Sequence, residues 1–187
     1  GDQPVNIDIR PGSYNAALGT QALASNTTGD ANIAIGQNAL TTNTSGSNNT
    51  AVGNEALELN TTGAANVAVG LRALEANTTG SSNVGLGRDA LRANTTASNN
   101  VAVGTDALTA NTTGENNTGV GFETLKTNTD GFHNTAIGYN ALKDHNGANS
   151  NTAVGSLSLE NSTSGLQNTA VGNQSMQTLT TGTRNVA

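Results

Sequence analysis

Two histidines and thirteen carboxylates are the first places to look for acid–base or metal chemistry in this chain of 187 residues, and there is no cysteine to assist them. His133 and His145 stand singly in turn-like segments, so neither a metal pair nor a catalytic couple is presented, and both are expected to be solvated. Glu55, Glu58, Glu75, Asp89, Asp106 and Glu123 are likewise scattered, as on a solvated outer face. Gly-x-Gly occurs at Gly85–Gly87 and Gly119–Gly121, but without the following helix that a phosphate loop needs. Thr129-Asp130-Gly131 echoes a calcium-binding β-roll repeat only once, whereas such repeats need a periodic aspartate. No catalytic, cofactor-binding or metal-binding residue is therefore expected, and the chain does not read as an enzyme.

Those residues interrupt a pattern that sets everything else. Ten consecutive units of 17 residues run from Asn15 to Arg184 without insertion or deletion, approximately N-[TV]-A-[VIL]-G-x-x-A-L-x-x-N-T-T-G-x-x. Position 1 is asparagine every time: Asn15, Asn32, Asn49, Asn66, Asn83, Asn100, Asn117, Asn134, Asn151 and Asn168. Position 5 is glycine every time: Gly19, Gly36, Gly53, Gly70, Gly87, Gly104, Gly121, Gly138, Gly155 and Gly172. Helical repeats need about 33 residues or more for two helices and a turn, so this period fits one coil of a parallel β-solenoid.

Composition agrees. With 34% apolar and 2% aromatic residues the chain cannot fill an ordinary globular core, and a disordered tract would not keep aliphatic residues in one phase ten times over. A net charge of −6 with only seven Lys or Arg, spread singly, argues against nucleic acid and anionic membrane surfaces as partners. No apolar run approaches the roughly 18 residues of a membrane span.

Within the unit, position 4 is always aliphatic and position 9 is leucine until Met176, so these two are expected to form the buried ridges. Each coil should run strand, a bend at the position-5 glycine, a second strand carrying the Ala-Leu pair, and a polar N-T-T-G corner. At position 5 either φ is positive or a facing backbone leaves no room for a Cβ. The asparagines of positions 1 and 12 suggest amide ladders, with tolerance of left-handed turn geometry as a compatible reason for their choice. Nine threonines at position 13, broken by Asn146, suggest a hydroxyl ladder. Two large aliphatics per coil look too few for a lone rod. The small residues of positions 3 and 8 then imply a second apolar surface, buried in a parallel homotrimer.

The NTAIG of Asn134–Gly138 and NTAVG of Asn151–Gly155 resemble the head repeats of trimeric autotransporter adhesins, and the longer N-T-A-x-G-x-x-A-L-x-x-N-T-T-G unit resembles repeat arrays of phage tail fibres. The resemblance spans residues 15–187. It departs from adhesin heads in coil length, which is about 14 residues there. It implies an all-β, extracellular homotrimeric fibre, on a virion or a bacterial surface, that spaces or presents a receptor-binding region. Glycan or protein receptors would be its partners, with no cofactor and no membrane insertion, and no receptor-binding residue is singled out. In that setting sequons such as Asn26-Thr27-Thr28 are ladder residues, not glycosylation sites.

Residues 1–14 lie outside the period; Val5, Ile7 and Ile9 alternate as a short strand stopped by Pro11-Gly12, a cap or linker for the first coil. Asn185–Ala187 begin an eleventh unit, as expected of a fragment of a longer fibre or of an end that stacks on another molecule. Two other functions are open: an ice-binding solenoid, for which position 13 supplies stacked threonines but not T-x-T alternation, and a self-polymerising filament subunit.

Overall fold

The computed structural model describes residues 6–8 and 13–187. It is all-β, a solenoid of about nine turns with one 17-residue unit per turn. Ten short parallel strands form a single sheet in chain order: β2 (Asn15–Leu18), β3 (Ile33–Ile35), β4 (Thr50–Val52), β5 (Val67–Val69), β6 (Val84–Leu86), β7 (Val101–Val103), β8 (Thr118–Val120), β9 (Thr135–Ile137), β10 (Thr152–Val154) and β11 (Thr169–Val171). Register follows the repeat, position on like position, as in Val67 beside Val84 and Ala68 beside Gly85. β1 (Asn6–Asp8) adds antiparallel to β2, pairing Asn6 with Ala17. Val5, Ile9 and the Pro11-Gly12 stop lie outside the described residues.

The interior is narrower than expected and lined differently. Strand side chains alternate between faces, and here positions 1 and 3 point inward while 2 and 4 point out. Ala34, Ala51, Ala68, Ala102 and their equivalents are fully buried, together with the position-8 alanines and Leu40 to Leu159 of position 9. The position-4 ridge faces solvent instead: Ile35 is 40% exposed, Val69 39% and Val171 60%. The expectation that positions 4 and 9 share the core is therefore corrected. One leucine, two alanines and two asparagines already fill a coil, leaving no space for a second large side chain. The small residues of positions 3 and 8, read from the sequence as an outer intersubunit surface, are the inner lining.

The Ala-Leu segment is not a strand either. Three overlapping turns cover it, as in Ala22 N–H donating to Gly19 O, Ala24 to Gln21 O, and Asn26 to Leu23 O. Positions 7 and 9 have positive φ, 61° at Gln21 and 55° at Leu23, as required at the third residue of a type II turn. A left-handed leucine costs about 1–2 kcal/mol, and burying its side chain contributes about as much or more. The turns still stack, since Leu40 N–H donates to Ala56 O of the next coil at 3.1 Å.

Candidate functional site

Two polar columns run down the inside of the rod. The position-1 asparagines donate and accept between coils: Asn66 N–H donates to Asn49 Oδ1 at 3.0 Å, and its own Nδ2 donates to Gly80 O at 2.9 Å. Gly80 stands at position 15 of the same unit, so this one amide ties the beginning of a coil to its end. From the other side, Asn77 at position 12 donates to the same carbonyl at 3.0 Å and to Asn60 Oδ1, one coil back, at 2.8 Å. The first seven coils are each closed in this way, by two amides converging on one oxygen. The position-13 threonines make no hydroxyl ladder; seven of them donate to a backbone carbonyl one coil on, as Thr61 does to Thr78 O at 3.0 Å, while Thr129 donates to Asn146 Oδ1 at 2.9 Å.

Position-5 glycines have φ near +134°, and a Cβ on them would press into the carbonyl of the next position-5 glycine, as Gly104 would into Gly121. Both reasons offered by the sequence for glycine apply at once.

On the outside, charged residues gather at positions 6, 7 and 10. Arg72 pairs with Asp89 at 2.9 Å and Arg92 with Glu75 at 2.7 Å, while Lys126 and Lys143 clasp Glu123 at 2.6 and 3.1 Å. Hydrogen bonds from these two lysines hold the Glu123 carboxyl below its ordinary range. Asp89 is not on a solvated face: it is 5% exposed, folded into its turn beneath Arg72. Asp106 lies 3.6 Å from Arg88.

Glu55 and Glu58 on one coil, and Glu75 one repeat beyond Glu58, place carboxylate oxygens within 4.8 Å of one another. Burial, then repulsion from Glu55 and Glu75, raises the Glu58 carboxyl above its ordinary value. A raised acid binds its proton more tightly in the native state, so this cluster costs stability as pH rises above the carboxylate range. Glu58→Gln is expected to stabilise the protein at neutral pH by up to about 0.5 kcal/mol and to have no such effect near pH 3. Thermal melts at the two pH values check it; a loss at neutral pH would show that the charge Glu58 brings to the bond it accepts from Asn38 Nδ2 outweighs the repulsion.

The two histidines part company. His133 is exposed, edge-on to Phe132 with ring centres 5.2 Å apart. His145 is 0% exposed, contrary to the solvated turn expected of it, because position 12 points into the rod. Phe122 and Tyr139, neighbours at position 6, stack at 5.5 Å and are 41% and 53% exposed; the pairing is visible in the sequence only once residues 17 apart are read as neighbours. Phe132 lies on a different column. Among the described residues no nucleophile, base and orienting group meet.

The feature of greatest extent is the outer strand face. Positions 2 and 4 of ten rungs, about 4.8 Å apart along the rod and about 7 Å apart across it, make a strip of Val, Ile, Leu and Thr, with Ala16 on the first rung. At about 50 by 10 Å, roughly 500 Å² with its threonines included, it is in the range of the largest surface patches of monomers, which are often functional. Compared with family models, curated proteins and solved structures, the chain matches none of them.

Proposed function

We propose that the protein is a rigid segment of an extracellular fibre, a phage tail fibre or bacterial surface adhesin, that spaces or presents a receptor-binding region and works as a parallel homotrimer. The observation that carries this reading is the aliphatic row of position 4 along the whole rod, widened at position 2 by Ile33, Val67, Val84 and Val101. Sequestering it is worth about 25 cal/mol for each Å² removed from water, and an in-register parallel partner offers the same strip at the same spacing. The seven doubly closed coils and the backbone ladders that join all ten make a rod of about 48 Å that resists bending. The work assigned to the chain is mechanical and adhesive, with a cell-surface glycan or protein as the receptor class.

Light scattering coupled to size exclusion tests it. A mass near three times 18.6 kDa is expected for the native chain. The double variant Val69→Lys, Val103→Lys, which places two cations in the middle of the strip, is expected to run as a monomer with its β-signal intact. A monomeric native chain would overturn the trimer.

A second reading has one observation in its favour. In β8 to β11 the outer face carries Thr118, Thr135, Thr152 and Thr169 alternating with Val120, Ile137, Val154 and Val171. A flat threonine–valine array of this regularity suits ordered water, and so an ice surface. Thermal hysteresis of a monomeric chain, lost in Thr135→Lys, would establish that reading in place of the fibre.

A further inference from the structure

The position-12 ladder runs unbroken from Asn26 to Asn128 and then fails. In the intact stretch each amide nitrogen donates to the oxygen one coil back, as Asn128 does to Asn111 Oδ1 at 2.9 Å. The eighth unit (134–150) carries His145 in this place and the ninth Ser162. Asn128 Oδ1 and Ser162 Oγ, on either side of the histidine, are buried without a hydrogen-bond partner. His145 itself faces two acceptors: Nδ1 lies 3.0 Å from Ser162 O and Nε2 2.9 Å from Ala148 O.

A neutral imidazole has one N–H, so it can satisfy only one of those carbonyls while its other nitrogen turns a lone pair toward the second. The imidazolium could serve both, but would be a charge in a site with no exposure. No carboxylate is there to compensate it. Asp144 beside it in the chain is exposed, as is Asp130 on the seventh coil; Glu160 on the ninth, Lys143 at position 10 and His133 at position 17 make no hydrogen bond or ion pair with the ring. Asn151 Nδ2, at 3.5 Å from Nε2, has its two N–H groups shared among nearer acceptors, Gly165 O at 2.7 Å, Asn149 O at 3.1 Å and Asn134 Oδ1 at 3.3 Å.

We propose that the eighth coil is an acid-sensitive rung: proton uptake by His145 opens the turn from Asp144 to Ala148 and loosens coils eight and nine, while the asparagine-laddered coils two to seven stay closed. Burial lowers the proton affinity of this ring, and the carbonyls of Ala148 and Ser162 offset that only in part. Below the ordinary histidine value of about 6.5 the opened chain therefore binds more protons than the closed one, and local stability falls as pH falls. The two unpartnered atoms make this the place where opening loses least. The device belongs to the single chain and does not depend on the fibre reading, which the scattering experiment tests separately.

Amide hydrogen exchange at about pH 7.5 and about pH 5, corrected for the chemical exchange rate, decides it. Protection of Asn146, Leu159 and Thr163, whose N–H groups bridge coils eight to ten, is expected to drop at least about tenfold at the lower pH, with Thr78 and Thr95 on earlier coils unchanged. His145→Asn restores the repeat residue and is expected to abolish the drop; His133→Asn, at the exposed histidine, is expected to keep it. A drop shared by the early coils, a drop that survives His145→Asn, or a His145 ring titrating at or above His133 would each overturn the proposal.

Discussion

Gly104→Ala is expected to disrupt the solenoid around its sixth coil, whereas Gly85→Ala, one coil earlier, is expected to leave it intact or slightly firmer. Gly104 holds φ at +134°, a region reserved for glycine, and its Cβ would overlap the Gly121 carbonyl and approach Gly121 Cα to 3.3 Å. Both neighbours are backbone and both belong to a stacked ladder, so nothing flexible can yield. Strain of about 1–3 kcal/mol for the dihedral and a similar amount for the overlap give a loss of about 3–5 kcal/mol. Gly85 sits at position 3, where Ala68 and Ala102 are its ladder neighbours, and a Cβ there would meet Ala90 O at 3.2 Å and Leu74 Cγ at 3.4 Å. Alanine at that site is expected to gain up to about 1 kcal/mol from the lower entropy of the unfolded chain. Urea unfolding followed by circular dichroism separates the two, with hydrogen exchange assigning the loss to coils five to seven, since a stacked array need not unfold as one unit. Equal midpoints would mean that position 5 can relax, and that the close approach of successive glycines does not hold the coil spacing.

The second large effect is expected from a one-atom change inside the ladder. Asn66→Asp replaces Nδ2, which donates to Gly80 O and to Asn49 Oδ1 at 3.2 Å, by an oxygen facing two acceptors. The new carboxylate would be fully enclosed and unpaired, an arrangement that costs about 3–5 kcal/mol. Its native proton affinity must then rise well above the unfolded value of about 3.9. A raised acid is least harmful below that value and most harmful once pH climbs past the native one. The variant is thus expected to be strongly destabilised at neutral pH and to recover much of the difference near pH 3, where the protonated acid supplies one donor. Asn99→Asp, at an exposed left-handed turn residue, is expected to change stability by less than about 0.5 kcal/mol. Paired urea titrations at the two pH values check both. A neutral-pH stability for Asn66→Asp equal to that of the native chain would show that the ladder is wet and that coil closure rests on backbone bonds alone.

Particular residues show which parts of this architecture were open to inspection in the chain. The period of 17, the invariant glycine and the invariant asparagine imply stacking of like on like, because a column of identical residues is informative only if its members are neighbours. The parallel register of Val67 on Val84 and Val101 follows from that alone. Position 9 reads correctly as a buried ridge because no other column of its segment is large and apolar in every unit; Leu59, Leu71 and Phe122 are single occurrences and lie exposed. Position 4 does not, because a three-residue strand such as Val101-Ala102-Val103 presents apolar side chains to both faces, and alternation then says that the faces differ without saying which is inside.

What the sequence determined by itself is the repeat, the all-β solenoid and the residues that must stack. Only the tertiary structure decided which way each strand faces, and the deciding term is polar. The Asn66 amide has to reach the Gly80 carbonyl across the closed coil, which places position 1 inside; by the period of two, position 3 goes in with it, and the valines of positions 2 and 4 go out. The same closure buries His145, an ordinary turn residue to the eye, because position 12 is the second donor to that carbonyl in every rung where asparagine stands there. A bond between two ends of one coil is set by three-dimensional closure, and no spacing along the chain records it.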